Sequence, residues 1–531
     1  MELLMNLVGA AIALHIIVLG INYFPKTRAF LRPDALIPNP LSKELWLIAF
    51  KSKKWRNKIL FTLLVIWAYR LGYYLPLPGV SPKRIQEIIS LMYSGGTLPP
   101  FTMVVLPGGP LDQCRLFALG IMPFLTACGL LQLIGFVIPP LRRKFYQGQA
   151  GFFQVRKLTV WLAYLLAATV GFFSAQWYAN FEFQGVRLIP HHTWLTLLII
   201  IISWVGGFSL IFWMANLISR YGIGNGWAVL FGTDILSRLV TNIYWFFHAF
   251  YKQQNVQPLL TFFYVLIFGV FIIFLSAVFR WRRYFSVKCG PGEAKFPLDL
   301  SWLASYPMSL AQSIVFLPVT LAALTAVPGY QALAYSFLSR GHIMYYALLG
   351  LLTVLISRFY MLVLAARPGE LGRLFARYGV KVSGLTEGSA ISEFLRVKLN
   401  KIALLTGGLL FALRILPDIV GRFLSLSNAM LSVFTGISVL IVLGILFDMA
   451  AQLRAKIEME QTGRNTTCDV VPVEIEARVK KCFLESRGIP CTIEPYGFTW
   501  GLPVRTAGSY YKLNVEHDRV KDAANLLGDE E

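Results

Sequence analysis

The residues of this chain best placed to act are a glycine and a proline, not a catalytic pair. Leu111–Pro140 reads as a membrane helix interrupted near its start by Gly120 and Pro123. Such breaks free backbone N–H and C=O groups that hydrocarbon cannot satisfy, so they persist only where protein shields them or a water-filled cavity runs beside them. The chemistry on offer is therefore passage. Beside the break, Ile121 and Leu125 share one helix face at i, i+4, and Trp227 and Phe231 repeat that spacing further along. Bulky apolar side chains beside such a cavity would dewet it and block ions. The alternative for such pairs is ordinary lipid or helix packing.

Enzyme chemistry is not expected. No nucleophile–base pair, phosphate loop or metal-ligand cluster stands out in the sequence, so no cofactor and no metal are foreseen. The six cysteines (Cys114, Cys128, Cys289, Cys468, Cys482 and Cys491) form no CxxC pair and no zinc-like spacing, and are read as scattered free thiols rather than a disulfide framework.

The elements that must position the break are membrane helices. Of 531 residues, 56% are hydrophobic and 14% charged, with mean hydropathy +0.60. Apolar runs near the ~20 residues needed to cross a bilayer fall at about Leu3–Phe24, Ile59–Leu75, Leu116–Ile138, Leu158–Tyr178, Trp194–Leu217, Trp227–Phe247, Leu259–Phe279, Trp302–Ala326, Met344–Ala366, Ile402–Val420 and Met430–Ala451. Setting the first aside, ten helices alternate between Lys/Arg-rich and basic-poor loops. The net charge of +22 thus reads as positive-inside bias, which puts both ends of the ten-helix body in the cytoplasm. Ten crossings suggest two five-helix halves joined near Gln253–Gln257, an arrangement that passes substrates at the shared interface. Leu3–Phe24 lacks a signal peptide's basic n-region and cleavage site and reads as an extra peripheral or interfacial helix. After Asp448 the composition changes to a small α+β domain: strand-like Cys468–Val473, Pro490–Glu494 and Ser509–Glu516, with amphipathic Glu474–Arg487 and Asp518–Leu527.

Three motifs converge in order: Tyr69-Arg-Leu-Gly-Tyr-Tyr-Leu-Pro-Leu-Pro-Gly79, Leu116-Phe-Ala-Leu-Gly-Ile-Met-Pro-Phe124 and Tyr221-Gly-Ile-Gly-Asn-Gly226. Together they resemble the SecY family, the protein-conducting channel subunit of the Sec translocon. Arg367-Pro-Gly-Glu370 resembles the start of that family's fifth cytoplasmic loop, and Phe434-Thr-Gly-Ile-Ser through Phe447-Asp-Met-Ala-Ala-Gln452 its tenth helix. The resemblance covers about Ile59 to Arg454. It implies an all-α polytopic membrane protein: a ten-helix SecY-like bundle of two five-helix halves, with an extra N-terminal helix and a small C-terminal α+β cytoplasmic domain. The expected boundaries are 1–58, 59–252, 253–455 and 456–531.

The resemblance also assigns sites. Ile121, Leu125, Trp227, Phe231, Ser309 and Ile441 match the apolar pore ring, with Met308 and Leu310 open as substitutes for Ser309. The plug covers Pro107–Leu119, including Pro107, Gly108, Gly109, Leu111 and Phe117. Gln132 and Gln312 are lateral-gate candidates, or packing residues toward a partner subunit. Arg283, Arg367, Lys381, Arg396 and Lys398 are docking candidates, or loop charges that set topology. Arg358, inside the eighth helix, departs from the family pattern and either snorkels or lines an aqueous funnel. Further departures fall on the docking face: no acidic or threonine residues before the glycine-rich turn, Thr386 for the usual arginine, Phe152-Phe-Gln154 for a basic cluster, and a short fourth loop.

The implied function is translocation of unfolded, signal-sequence-bearing polypeptides across the cytoplasmic (inner) membrane and release of apolar segments into the lipid bilayer. The implied partners are SecE-like and SecG-like small membrane subunits and a SecA-like motor ATPase or the ribosome. The rivals are an accessory channel for a few substrates and a small-solute transporter. The latter needs a polar midplane site, where this sequence offers apolar residues apart from Arg358.

Overall fold

The computed structural model of the chain describes residues 52–80, 115–144, 148–180, 193–237, 283–298, 342–382, 385–423, 436–471, 474–497 and 509–528 with isolated short breaks, plus a few residues within 182–189 and 307–330. The expected N-terminal helix, the sixth helix, Ser309, Pro107, Gly108, Gly109 and Leu111 lie outside the described residues, as do the side chains of Gln132, Arg283 and Ile441.

The first helical group contains α1 (Lys53–Gly72), α2 (Met122–Val137), the short α3 (Pro139–Lys144), α4 (Gly148–Asn180), the hairpin β1 (Glu182–Phe183) and β2 (Val186–Arg187), and α5 (Trp194–Tyr221). A further helix, α6, starts at 226 and is described to 237. Here α4 packs against α2 and α5, and α1 lies on α5. The second group has α7 (Ile343–Phe359), continued by a π-helical turn over Tyr360–Ala365, α9 (Gly388–Phe423) and α10 (Gly436–Thr462). Between these helices lie β3 (Arg283–Cys289), β4 (Gly292–Leu298), α8 (Pro368–Arg377) and β5 (Lys381–Val382), which form a platform: an antiparallel sheet in the order β4-β3-β5, with α8 packed on α9.

The helices run past the apolar segments that announce them. α4 begins at Gly148, ten residues before Leu158, α9 begins at Gly388 rather than Ile402, and α10 continues to Thr462. Backbone hydrogen bonding carries a helix beyond hydrocarbon, where hydropathy no longer marks it. Among the described residues, four stretches are long and apolar enough to cross a membrane: Phe153–Gln176, Trp194–Tyr221, Ile343–Arg377 and Gly388–Leu416. Their outward faces carry Trp161, Leu165, Phe173, Ile202, Trp213, Leu351, Leu355, Leu404 and Leu405, all exposed. So extensive an apolar exterior has no stable home in water and requires lipid.

Small residues let the helices approach. A Cβ on Gly350 of α7 would lie 2.6 Å from the Phe411 ring, and one on Gly407 of α9 would lie 3.0 Å from Val354 Cα, so these helices meet backbone to backbone as membrane helices do.

After α10 come β6 (Thr466–Val471), α11 (Glu474–Ser486), β7 (Thr492–Gly497), β8 (Ser509–Val515) and α12 (Val520–Gly528). The strands form an antiparallel sheet in the order β6-β8-β7, so β8 lies between two strands that α11 connects. Gly488, at φ +78°, ends α11: Ile489 N–H reaches back to Leu484 O at 2.9 Å, closing the left-handed cap that glycine adopts without penalty. Lys480 of α11 binds Asp469 of β6 at 2.6 Å and lies 3.8 Å from Glu476. Burial opposes the Lys480 charge, but the two carboxylates outweigh it and hold the ammonium above its ordinary value. Burial pushes the Glu476 carboxyl up to about 7; Lys480 opposes this, while Asp469 and Glu370 add to it.

One sequence expectation is corrected. Cys482 is disulfide-bonded, whereas Cys468 and Cys491 are free thiols. Spacing along the chain carries no record of which thiols folding brings together, so a bond outside the usual motifs is invisible to it.

Candidate functional site

The break at Gly120–Pro123 sits in a built socket. Residues 115–121 form turns instead of helix, and α2 starts only at Met122 with Pro123 in its first turn, where the missing N–H costs nothing. Arg115 bridges to Pro76, and Leu116 N–H donates to Leu75 O at 3.0 Å. Trp204 Nε1 of α5 donates to Arg115 O at 3.1 Å. A Cβ on Gly207 would come within 2.2 Å of Leu116 O, so only glycine lets α5 approach this segment. Leu75 and Trp204 thus take up backbone groups at the start of the segment, while Ala118 and Gly120 N–H close turns onto Arg115 O and Phe117 O.

Phe117, a plug candidate, is buried between Tyr69 of α1 and Tyr73, which caps that helix. Its ring centroid lies 5.9 Å from that of Tyr69 in a stacked arrangement and 6.1 Å from that of Tyr73 edge-on. Gly72 makes the room, because a Cβ there would enter the Phe117 ring. Beneath the rings lies a clamp. Asp234 of α6 accepts from Tyr69 Oη at 2.7 Å and Tyr73 Oη at 3.2 Å, and pairs with Arg70 Nη1 at 3.3 Å. Asp234 and both tyrosines are buried. An ionisable pair inside an apolar bundle is costly unless fully hydrogen-bonded, and here three donors surround one carboxylate.

Sequence reasoning missed this cluster, which places Arg70 and Asp234, besides Arg358, within the apolar helices. The signal was present as an arginine in the run 59–75 and an aspartate in 227–247, each out of place until the two helices are put side by side. Arg414 of α9 is likewise buried. Arg358 itself sits exposed in the last turn of α7.

Four of the pore-ring candidates come together. Ile121 and Trp227 are buried, with Leu125 and Phe231 packed against the same cluster. Phe124, which the spacing did not single out, stacks on Trp227 at 3.9 Å, and Phe212 meets Trp227 edge-on at 5.1 Å. Ile445 of α10 joins this cluster: a Cβ on Gly232 would lie 3.0 Å from Ile445 Cδ1. Ile441 precedes Ile445 by one turn of α10. Helices from both groups therefore contribute to one apolar centre.

The turn Gly222–Gly226 that aims Trp227 is determined by its glycines and one asparagine. Gly224 takes φ +85°, which L side chains avoid, and a Cβ on Gly226 would lie 1.8 Å from the backbone oxygen of Ala215. Asn225 Oδ1 accepts from the N–H groups of Trp227 at 2.9 Å and Ala228 at 3.4 Å, an N-cap that starts α6. Thr62 Oγ1 of α1 accepts from Ile223 N–H at 3.0 Å, and Ser219 Oγ accepts from Gly226 N–H at 2.8 Å. α6, and Asp234 with it, is thereby locked to α1.

The docking candidates are dispersed. Arg367 is mostly buried, at left-handed φ 41°; its Nε donates to Val363 O at 2.9 Å, and its guanidinium lies 3.2 Å from Glu370. It caps α8 and offers little to a partner. Lys381 on β5 and Arg396 and Lys398 on α9 are exposed. Gln312 is half-buried, beside the buried Met308 and Ala311.

A helical bundle with a lipid-facing exterior, one broken helix held in a socket and an apolar centre fed by both groups of helices defines a polytopic membrane protein. A family profile described as SecY matches residues 115–450. The chain belongs to the SecY family. It is 27% identical over 432 residues to the protein translocase subunit SecY of Streptomyces galbus, covering 77% of this chain and 96% of the relative. It is also 27% identical over 433 residues to that of Thermus thermophilus, covering 78% and 95%. A solved structure described as a protein conducting channel superposes with TM-score 0.53 at 15% identity, covering 76% of this chain and 93% of that one, which establishes a shared fold.

Proposed function

We infer that this chain is a protein-conducting channel subunit, passing unfolded polypeptides across a membrane and releasing apolar segments into lipid. The observation that carries the reading is the meeting of Ile121, Leu125, Trp227 and Phe231 in one apolar cluster, with Ile445 of α10 in the same cluster, inside a chain of the SecY family. Such a constriction excludes ions by dewetting and yields to a chain that pushes it apart. It calls for no enzyme chemistry in the channel itself, so the driving energy comes from a motor ATPase or the ribosome at the basic loops. Positive-inside bias puts those loops, the platform and the C-terminal domain in the cytoplasm, and small SecE-like and SecG-like membrane subunits complete the assembly.

On this reading the halves are 59–252 and 253–455, flanked by 1–58 and 456–531. The plug spans Pro107–Leu119 and ends in the Phe117 socket; Ser309 and Ile441 complete the ring, and Gln132 and Gln312 face the lateral gate. The altered docking loops, Thr386 among them, favour a channel serving a restricted set of substrates over a general one. The test is site-specific crosslinking from Ile121 and Ile441 to a stalled secretory chain. Crosslinks at both positions are expected, and their absence from an otherwise active complex overturns the reading.

A further inference from the structure

We propose that the C-terminal domain is a clasp: seated across the platform, it ties helices of the first group to those of the second and holds the passage shut until it is displaced. The proposal rests on the channel reading above and adds a regulatory contact to it.

The domain touches both groups. β6 lies against α4 of the first, while β7 packs on α10 and α11 on α8, β3 and β4 of the second. Its seat is apolar and continuous. Leu371, Phe375, Tyr378, Val380 and Val382 of the platform share one buried cluster with Ile475, Val479, Phe483 and Leu484 of α11. The Phe483 and Tyr378 ring centroids are 4.9 Å apart. Asn514 Nδ2 of β8 reaches Met459 Sδ of α10 at 2.7 Å. Beside this seat, Lys54 at the start of α1 pairs with Glu460 of α10 at 2.6 Å, and Trp55 and Ile223 pack with Leu453 and Ile457. A tether would need only a linker. This domain instead completes the platform's own core, so removing it exposes Phe375 and Tyr378 to water. A channel opens by parting its two groups of helices, and a folded body attached to both opposes that movement.

The test uses the full chain in proteoliposomes under a thiol reductant, so that the Cys482 disulfide does not hold the domain in place, with two variants, one on each side of the contact. Tyr378→Asp alters the platform and leaves the domain's own sequence intact; Phe483→Asp alters α11. Tyr378→Phe keeps the ring and is the control. Both aspartate variants are expected to speed amide exchange in 368–378 and 474–486 at least tenfold while amides of β8 stay protected, and to raise basal ion conductance several-fold. Tyr378→Phe is expected to match the parent. Release of the domain without a rise in conductance overturns the clasp, and so does exchange that stays unchanged in both variants. Ile121→Gly in the same vesicles separates the two readings. If it conducts while the released variants do not, the channel stands and the clasp falls; if none conducts, the channel reading falls and takes the clasp with it.

Discussion

Asp234→Ala is the sharpest test of how the broken helix is held. The carboxylate accepts from two buried phenols at 2.7 and 3.2 Å and pairs with Arg70 at 3.3 Å. Truncation removes the carboxylate acceptor from the Tyr69 and Tyr73 hydroxyls, which keep their mutual hydrogen bond at 3.0 Å, and takes the Asp234 counter-ion from Arg70. An unsatisfied buried polar group costs about 1–3 kcal/mol, and breaking a buried ion pair by removing one partner costs about 3–5 kcal/mol. The contributions overlap, and Arg70 keeps part of its solvent contact, so about 3 kcal/mol is a fair expectation for the whole. Because the two rings form the walls around Phe117, that loss falls on the socket of residues 115–121. At 1.36 kcal/mol per factor of ten, amides of this segment should exchange on the order of 100-fold faster in a lipid nanodisc. Asp234→Asn, which keeps an acceptor but no charge, should fall between, and Tyr69→Phe should cost about 1.5–3 kcal/mol, as a hydrogen bond to a charged group does. A double-mutant cycle between Tyr69→Phe and Asp234→Ala should show coupling of about 1 kcal/mol or more. Exchange within twofold of the parent in Asp234→Ala, or additivity in the cycle, would show that the clamp does not hold the segment.

Gly226→Ala should fail to accumulate as folded protein, because its Cβ meets a backbone oxygen of α5 at 1.8 Å and neither helix can withdraw without undoing the turn; normal yield and melting temperature would refute this. Ile121→Gly removes a buried side chain from the proposed constriction and should leak ions in a bilayer recording, whereas unchanged conductance removes Ile121 from the seal. Glu476 gives a pH dependence of defined sign. Its carboxyl is raised from 4.5 to about 7 in the folded domain, so the fold holds a proton that the unfolded chain releases. That stabilisation is complete below 4.5 and is lost as pH rises through about 7. Melting of the C-terminal domain should therefore drop over this window in the parent and run flatter in Glu476→Gln; an equal slope in both refutes the assignment.

Much of the bundle was legible because lipid imposes a simple rule on sequence. Apolar runs marked α1, α4, α5, α7 and α9, and the break at Gly120–Pro123 is visible because glycine and proline are the residues that free backbone groups. The glycine-rich turn was recognisable as a motif, but its reason was not. That Gly226 faces the Ala215 carbonyl depends on two helices crossing, a fact no single stretch contains. The same limit hid Asp234. An isolated carboxylate in an apolar run looks like noise until Tyr69, Tyr73 and Arg70 are brought to it from a helix more than 160 residues away in sequence. Phe124 was overlooked for the opposite reason: among many aromatics, only its stack on Trp227 distinguishes it.

The departures from family pattern and the position of the C-terminal domain belong together. Thr386 stands between β5 and α9, in the platform next to the seat of α11, and Phe152-Phe-Gln154 stands in the first turns of α4, the helix that β6 contacts. A basic side chain kept for an external partner has no use where a domain of the same chain already covers the neighbouring surface. Thr386 is itself exposed, so on the clasp reading it is the domain seated beside it that bars a motor, and Thr386→Arg should not by itself restore docking. It should do so only together with Tyr378→Asp, measured as motor binding to the full chain in vesicles. Binding restored by the single arginine would mean that the neighbouring domain does not bar the motor.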